Sequence, residues 1–149
     1  MHWTQNWGWW IYCLLFTLIA IGNTAMTLSR ESPLCIYYHV LIAFHPQYIF
    51  LYFLALASAF LTLASLLPLF LFVARRPFFG AKLWQWLFVL RTAFEATGHG
   101  YEYQVLRSFY YNDPWIVVSL LTLYLSSILP SYYACFQYAF HWEKLFPNQ

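Results

Sequence analysis

The feature that most constrains this chain is a run of uncharged, mostly apolar residues that extends from position 48 to position 73. A helix needs about 20 such residues to cross the roughly 30 Å hydrocarbon core of a bilayer. A small soluble domain could not hide a segment of this kind, because its high ratio of surface to volume demands a polar shell. The run therefore predicts a membrane-spanning helix.

The composition extends this prediction to the rest of the chain. The 149 residues are 62% hydrophobic and only 8% charged, against about 25% charged in an ordinary soluble domain. The net charge of +2 includes no basic run of the kind that follows phosphates, which excludes a nucleic-acid partner. We expect residues 1–149 to form a single membrane domain whose first partner is the lipid bilayer.

Four segments are predicted to span the membrane. They are residues 7–28, 48–73, 83–106 and 115–140. The third segment carries charged residues, and each central charge costs about 2.5–3.5 kcal/mol on insertion scales. We include it as a span because its opening residues are strongly apolar and because partnered charges cost less than isolated ones.

The loops and the tryptophans predict the same orientation. Arg75, Arg76 and Lys82 lie in the second connection, and positive loops remain in the cytoplasm. Tryptophan prefers the membrane–water interface, and six tryptophans fall at predicted inner ends: Trp7, Trp9, Trp10, Trp84, Trp86 and Trp142. The expected fold is an all-α integral membrane protein, a four-transmembrane-helix bundle with both termini inside. It would be a multi-pass protein of a bacterial inner membrane or of the endoplasmic reticulum.

The segment from residue 34 to residue 47 does not fit a fifth span. It is apolar, but it is too short to cross the bilayer before Pro46. We predict a short interfacial or re-entrant segment after the first helix.

The candidate functional site is a stripe of ionisable residues on the third span. Spacings of four, four and three put them on one helical face: Arg91, Glu95, His99 and Glu102. At 1.5 Å of rise per residue, Arg91 lies roughly 12 Å from Leu83 and Glu95 roughly 18 Å from it. Ionisable residues at such depth face the bundle interior and mark functional sites. Asn23 of the first span is expected at a similar depth, within hydrogen-bonding reach of Arg91 or Glu95.

The stripe is also compatible with a role in structure or in assembly. Arg91 and Glu95 could neutralise one another within the helix, or the stripe could bind a neighbouring subunit. In the second span, Ser58, Thr62 and Ser65 form a small-residue face that is typical of close helix contacts. The Tyr132–Tyr133 pair of the fourth span could line the same cavity as the stripe.

No metal site and no cofactor is predicted. A b-type haem would need His99 to face His39 or His45, and a bound pigment is the other cofactor that we considered. Cys13, Cys35 and Cys135 form no CxxC pair and no zinc spacing. Whether the protein is an enzyme stays open, because no catalytic triad, nucleotide loop or phosphate loop occurs.

The arrangement of the spans resembles that of the emopamil-binding and sigma-2-receptor-like (EXPERA) family over nearly the whole chain. The shared features are Pro68 near the inner end of the second span, a short basic inner loop, and Pro130 inside the fourth span. The resemblance implies a small helical membrane protein that binds sterol-like or cationic amphiphilic ligands. The family carries acids in its early spans, where this chain has only Asn23, so no catalytic residue is carried over.

Two functions are consistent with these features. In the first, the bundle binds a hydrophobic ligand (a sterol, isoprenoid, quinone or pigment) in an intramembrane cavity whose polar end is formed by the third helix. In the second, the protein is a non-catalytic subunit of a larger membrane complex, and its charged stripe pairs with a partner helix. The second includes association with further copies of the same chain as well as with other subunits.

Overall fold

The computed structural model describes residues 4–29, 49–78, 80–109 and 113–146. Every regular element within those ranges is a helix, which confirms the all-helical expectation for them. The helices are α1 (Thr4–Ser29), α2 (Ile49–Ala74), α3 (Ala81–Phe109), α4 (Pro114–Phe140) and the short α5 (Trp142–Leu145). The four predicted segments fall in the four long helices, whereas the predicted interfacial segment, residues 34–47, lies outside the described residues.

Consecutive long helices run in opposite directions. Trp9, at the start of α1, packs edge-on against Phe72 near the end of α2, with ring centroids 5.4 Å apart. The ring centroid of Trp84, at the start of α3, lies 6.4 Å from that of Tyr138 near the end of α4. The starts of α1 and α3 therefore share one end of the molecule with the ends of α2 and α4. We call it the aromatic end.

Helix α2 is central, because it contacts α1, α3 and α4. The core between the helices joins three of them in a cluster of apolar side chains, most of them small or aliphatic: Cys13, Phe16, Leu69, Val73, Ile128, Ala134 and Cys135. Small residues allow the helix backbones to approach closely, which is how helices associate where no water drives them together.

Among the described residues, two charged side chains are buried, and many large apolar side chains are exposed. Arg91 and Glu95 are only 1% and 5% exposed, whereas Leu14 is 63% and Leu123 71% exposed. Charged residues are almost never fully buried in soluble domains unless they are paired. The apolar surface is consequently broad and extends over all four long helices.

Two of the described helices are long and apolar enough to cross a membrane. Judged by length and composition, the candidate spans are Trp7–Ala25 within α1 and Tyr52–Ala74 within α2. Two hydroxyl groups in these helices are satisfied locally: Thr24 and Ser65 each donate to the backbone carbonyl four residues earlier, at 2.8 Å. This local bond lets a hydroxyl lie in an apolar setting without an unpaired donor.

Helix α2 ends in a Schellman motif with an arginine in the left-handed position. Arg75 has a φ of 51°. Its N–H donates to the Phe72 carbonyl at 3.3 Å, and the N–H of Arg76 donates to the Leu71 carbonyl at 3.0 Å. Glycine usually occupies this position, because a Cβ there costs roughly 1–2 kcal/mol. Pro77 follows and prevents the helix from continuing.

Candidate functional site

The ionisable stripe of α3 points into the molecule. Arg91, Glu95 and His99 lie on the face of α3 that is covered by the other long helices. Glu102 belongs to the same helix, but its side chain lies outside the described part of the structure. Three of the four predicted stripe residues are therefore brought together around the interior.

Arg91 is held by α4 and α1. Its Nη2 atom donates to Ser131 Oγ at 3.0 Å, and its guanidinium lies 4.2 Å from the centre of the Tyr132 ring and 5.8 Å from that of Phe16. Its Nε and Nη1 atoms are buried without a hydrogen-bond partner. Cation–π contacts strengthen when they are desolvated, to about 2 kcal/mol or more, so the rings supply much of what holds this cation.

A proline in α4 opens the helix next to this arginine. Pro130 lacks an N–H and its ring crowds the carbonyl one turn earlier. The N–H of Ser131 donates to the hydroxyl of Tyr12 at 3.0 Å, and the same hydroxyl donates to the carbonyl of Ser127 at 2.9 Å. In a regular helix these two backbone groups would bond to each other. The Tyr12 hydroxyl is thus inserted into the hydrogen-bond ladder of α4.

The inserted tyrosine positions the partner of Arg91. Ser131 is fully buried, and its hydroxyl donates to the Ile128 carbonyl at 2.7 Å while it accepts from the guanidinium. One short stretch of α4 therefore connects α1, through Tyr12, to the charged face of α3.

Glu95 binds His99 one turn further along α3. Its Oε2 atom lies 2.7 Å from His99 Nε2, so the imidazole donates to the carboxylate. Thr62 of α2 donates to Oε1 and Tyr124 of α4 donates to Oε2, each at 3.4 Å. Hydroxyl donors normally approach to 2.5–3.0 Å. Ser58 of α2 also hydrogen-bonds to Glu95, so the carboxylate is shared by side chains of α2, α3 and α4.

The intrahelical Arg91–Glu95 pair that we considered from the sequence is replaced by separate partners. Arg91 bonds to Ser131, whereas Glu95 bonds to His99. The two residues are one turn apart on the same face, but each charge is held mainly by a different group. Their mutual attraction acts through space and not through a direct bond.

A small polar cleft adjoins Glu95 between α1 and α2. Its volume is about 20 Å³. The lining residues come from all four long helices: Phe16, Ile19, Ala20, Asn23, Ala55, Ser58, Ala59, Thr62, Glu95, Tyr124 and Ile128. Asn23 shares this cleft with Glu95, as its depth suggested, but its Oδ1 atom is buried without a hydrogen-bond partner.

The volume limits what the cleft can hold. One water molecule needs roughly 10–15 Å³ of such space and two to four polar partners. The cleft therefore fits one water molecule or one hydroxyl group, and it offers a buried acceptor without a donor, Asn23 Oδ1, beside the carboxylate of Glu95. A whole sterol or quinone ring does not fit inside it.

No described part of the chain brings three or more histidine, cysteine or acidic side chains close enough to hold a metal ion. His39 and His45, the histidines that we considered as haem partners for His99, lie outside the described residues. Cys13 and Cys135 are free and buried in the core.

Sequence reasoning missed most partners of the stripe. Thr62 was assigned to a small-residue face, yet it donates to Glu95. Ser131 and Tyr12 were not singled out, because a serine and a tyrosine carry no positional signal in an apolar helix. Pro130 was the available clue, since a proline inside a span requires a neighbour to satisfy the freed backbone.

No protein-family model, curated protein or solved structure matches this chain.

Proposed function

We propose that this protein is a four-span integral membrane protein that binds a hydrophobic molecule by a single hydroxyl group at Glu95. The proposal is supported by the burial of Arg91 and Glu95 together with the exposure of many large apolar side chains. Exposed apolar surface of this extent marks a face that contacts lipid or another protein. The proposal agrees with the predicted resemblance to the EXPERA family, which remains a prediction.

The proposed topology has both termini on the cytoplasmic side. Its support is the alternating direction of the four long helices, with aromatic side chains such as Trp9 and Trp84 gathered at one end. The positive residues Arg75, Arg76 and Lys82 lie at that end too, which agrees with a cytoplasmic location.

The observation that carries the ligand proposal is the unmatched acceptor capacity of the cleft. Asn23 Oδ1 is buried without a partner beside the carboxylate of Glu95, whose close bond goes to His99 and whose contacts to Thr62 and Tyr124 are long. A buried acceptor without a donor costs about 1–3 kcal/mol. A ligand hydroxyl would satisfy these oxygens, whereas a quinone carbonyl, itself an acceptor, would not. The chemistry favours a sterol or an isoprenoid alcohol over a quinone.

The apolar remainder of such a ligand would stay in the bilayer. Ile19 lines the cleft and is 38% exposed on the outer side of α1. A hydroxyl could therefore pass between α1 and α2 from the hydrocarbon while the rest of the molecule lies against the exposed helix faces. This geometry reconciles a hydrophobic ligand with a cleft of about 20 Å³.

The alternative, a subunit whose stripe pairs with a partner helix, has less support. Arg91, Glu95 and His99 are covered by α1, α2 and α4 of the same chain. A partner helix would meet the exposed apolar faces instead of these charges. Association through the apolar faces remains compatible with the ligand proposal.

The test is retention of a radiolabelled sterol, a polyprenol and a ubiquinone by the purified protein. Glu95→Gln removes the anionic acceptor with little change in volume, and we expect it to lower retention of the alcohols at least about tenfold. Asn23→Leu removes the second acceptor and should also lower it. The matched control is Asp113→Asn, which replaces a carboxylate by an amide at an exposed acid away from both pockets.

Equal retention of the alcohols by Glu95→Gln and wild type would refute the proposal. Stronger retention of ubiquinone than of either alcohol would also refute the hydroxyl assignment. If Glu95→Gln does not fold, Asn23→Leu carries the test alone. We expect Asn23→Leu to fold, because it replaces a buried polar group that lacks a partner by an apolar side chain.

A further inference from the structure

A second and much larger cavity lies at the aromatic end, away from Glu95. It is a groove of about 930 Å³ between the α2–α3 connection and the end of α4. Phe78, Phe140 and Trp142 supply aromatic walls, and His141 and Lys144 supply polar groups. Ligand sites usually have volumes of about 300–1,000 Å³, so this groove can hold a substantial part of an amphiphile.

Charges beside the groove are mostly positive. Lys144 lines the groove, Arg76 precedes the lining residue Pro77, and Lys82 follows the lining residue Gly80 by two positions. All three are exposed. Glu143 is the acid of the lining, so three cations and one acid give a local balance of +2 among these described residues.

The walls of the groove are fixed to one another. The hydroxyl of Tyr138 donates to the Arg76 carbonyl at 2.8 Å, and Gln85 Nε2 donates to the Ala139 carbonyl at 3.1 Å. These bonds join the α2–α3 connection and α3 to the end of α4. The segments that carry the cationic residues are therefore held in place by these bonds before any ligand binds.

We propose that this groove binds the headgroup and glycerol region of an anionic phospholipid. Tryptophan and tyrosine at the helix ends mark the depth at which lipid headgroups lie. Aromatic walls suit the start of the acyl chains, and the positive rim complements a phosphate. Juxtamembrane lysine and arginine each contribute about 1 kcal/mol of attraction to anionic lipid.

The experiment measures lipid adducts on the intact protein by native mass spectrometry, after exchange into mixtures of phosphatidylglycerol and phosphatidylcholine. Wild type is expected to retain phosphatidylglycerol preferentially. Lys144→Gln should lower that preference about fivefold, which corresponds to about 1 kcal/mol. Glu143→Lys should raise it, because it adds positive charge on the same wall.

The matched control is Arg107→Gln, which neutralises an exposed cation near the other end of α3. It should leave the preference unchanged. The proposal is overturned if the two lipids bind equally, or if Arg107→Gln lowers the preference as much as Lys144→Gln does. It is also overturned if millimolar inorganic phosphate displaces the lipid, since the occupant would then be a soluble anion. The alcohol retention at Glu95 is a separate measurement, so either proposal can fail alone.

Discussion

At the scale of single residues, Arg91 is among the largest fully buried side chains that the structure describes. It is a buried cation held by one hydrogen bond to Ser131 and by the faces of Tyr132 and Phe16. A planar guanidinium suits this combination, because it can stack on a ring and donate in its own plane at the same time. An ammonium group keeps the charge but cannot do both.

We therefore expect Arg91→Lys to destabilise the protein by about 1–2 kcal/mol, through weaker stacking and a poorer bond to Ser131. The measurement is the free energy of unfolding in detergent. Arg107→Lys, the same change at an exposed site, should have almost no effect. Equal stability of Arg91→Lys and wild type would show that charge alone matters at this position.

Tyr12 makes the second prediction at this scale. Its hydroxyl bonds to the Ser131 N–H and to the Ser127 carbonyl, so Tyr12→Phe leaves two backbone groups unpaired. We expect a loss of about 2–3 kcal/mol in the free energy of unfolding. Tyr133→Phe, the same change at an exposed tyrosine of α4, serves as the control.

A double-mutant cycle of Tyr12 and Pro130 tests whether the stability lost in Tyr12→Phe comes from the opened hydrogen-bond ladder of α4. Pro130→Ala restores an N–H that can bond to the Ser126 carbonyl, and it removes the ring that holds the helix open. The Ser131 N–H can then bond to the Ser127 carbonyl directly. In that background Tyr12→Phe should cost clearly less. An unchanged cost would mean that the hydroxyl acts by some route other than insertion into the helix ladder.

At the scale of elements, α2 ends in a Schellman motif that has an arginine where glycine is usual. Arg75 takes the left-handed conformation that glycine adopts without strain. Arg75→Gly should therefore stabilise the folded protein by about 0.5–1 kcal/mol, as measured by the free energy of unfolding in detergent. Arg76→Gly, which has no positive φ to relieve, should be neutral or slightly destabilising. The opposite ranking of the two variants would contradict the Schellman assignment.

Helices were the most predictable elements of this chain, and their contacts were the least. Long apolar runs placed the four helices, because apolar length is a local property of the sequence. The spacing of Arg91, Glu95 and His99 predicted their shared face for the same reason. Their partners Thr62, Ser131 and Tyr12 could not be predicted, because neither the axial position nor the rotation of one helix against another is encoded in spacing within a single helix.

At the scale of the whole molecule, the proposed topology predicts which exposed residues face each side of the membrane. Arg76 and Lys144 belong to the aromatic end, whereas Asp113 precedes α4 at the opposite end. All three are exposed, so cysteines placed there should be chemically accessible on their own side.

The check is labelling by a membrane-impermeant maleimide in intact cells, after the native cysteines are replaced by alanine. Asp113→Cys should react directly, and Lys144→Cys should react only after permeabilisation. Arg76→Cys serves as a second cytoplasmic position. Labelling of Asp113→Cys and Lys144→Cys from the same side would contradict the four-span topology, because an odd number of crossings must separate them.

The inserted hydroxyl of Tyr12 has a consequence for how the protein is made. The backbone of α4, near the carboxyl end of the chain, is completed by a side chain from α1 near the amino end. During synthesis α4 follows α1, α2 and α3, and until α1 docks against it the Ser131 N–H and the Ser127 carbonyl lack the partner that Tyr12 provides. When α1 and α4 are both present, we expect this unpaired state of α4 to be short-lived. In a chain that lacks α1 the state would persist, so we expect that chain to be degraded by membrane quality-control proteases.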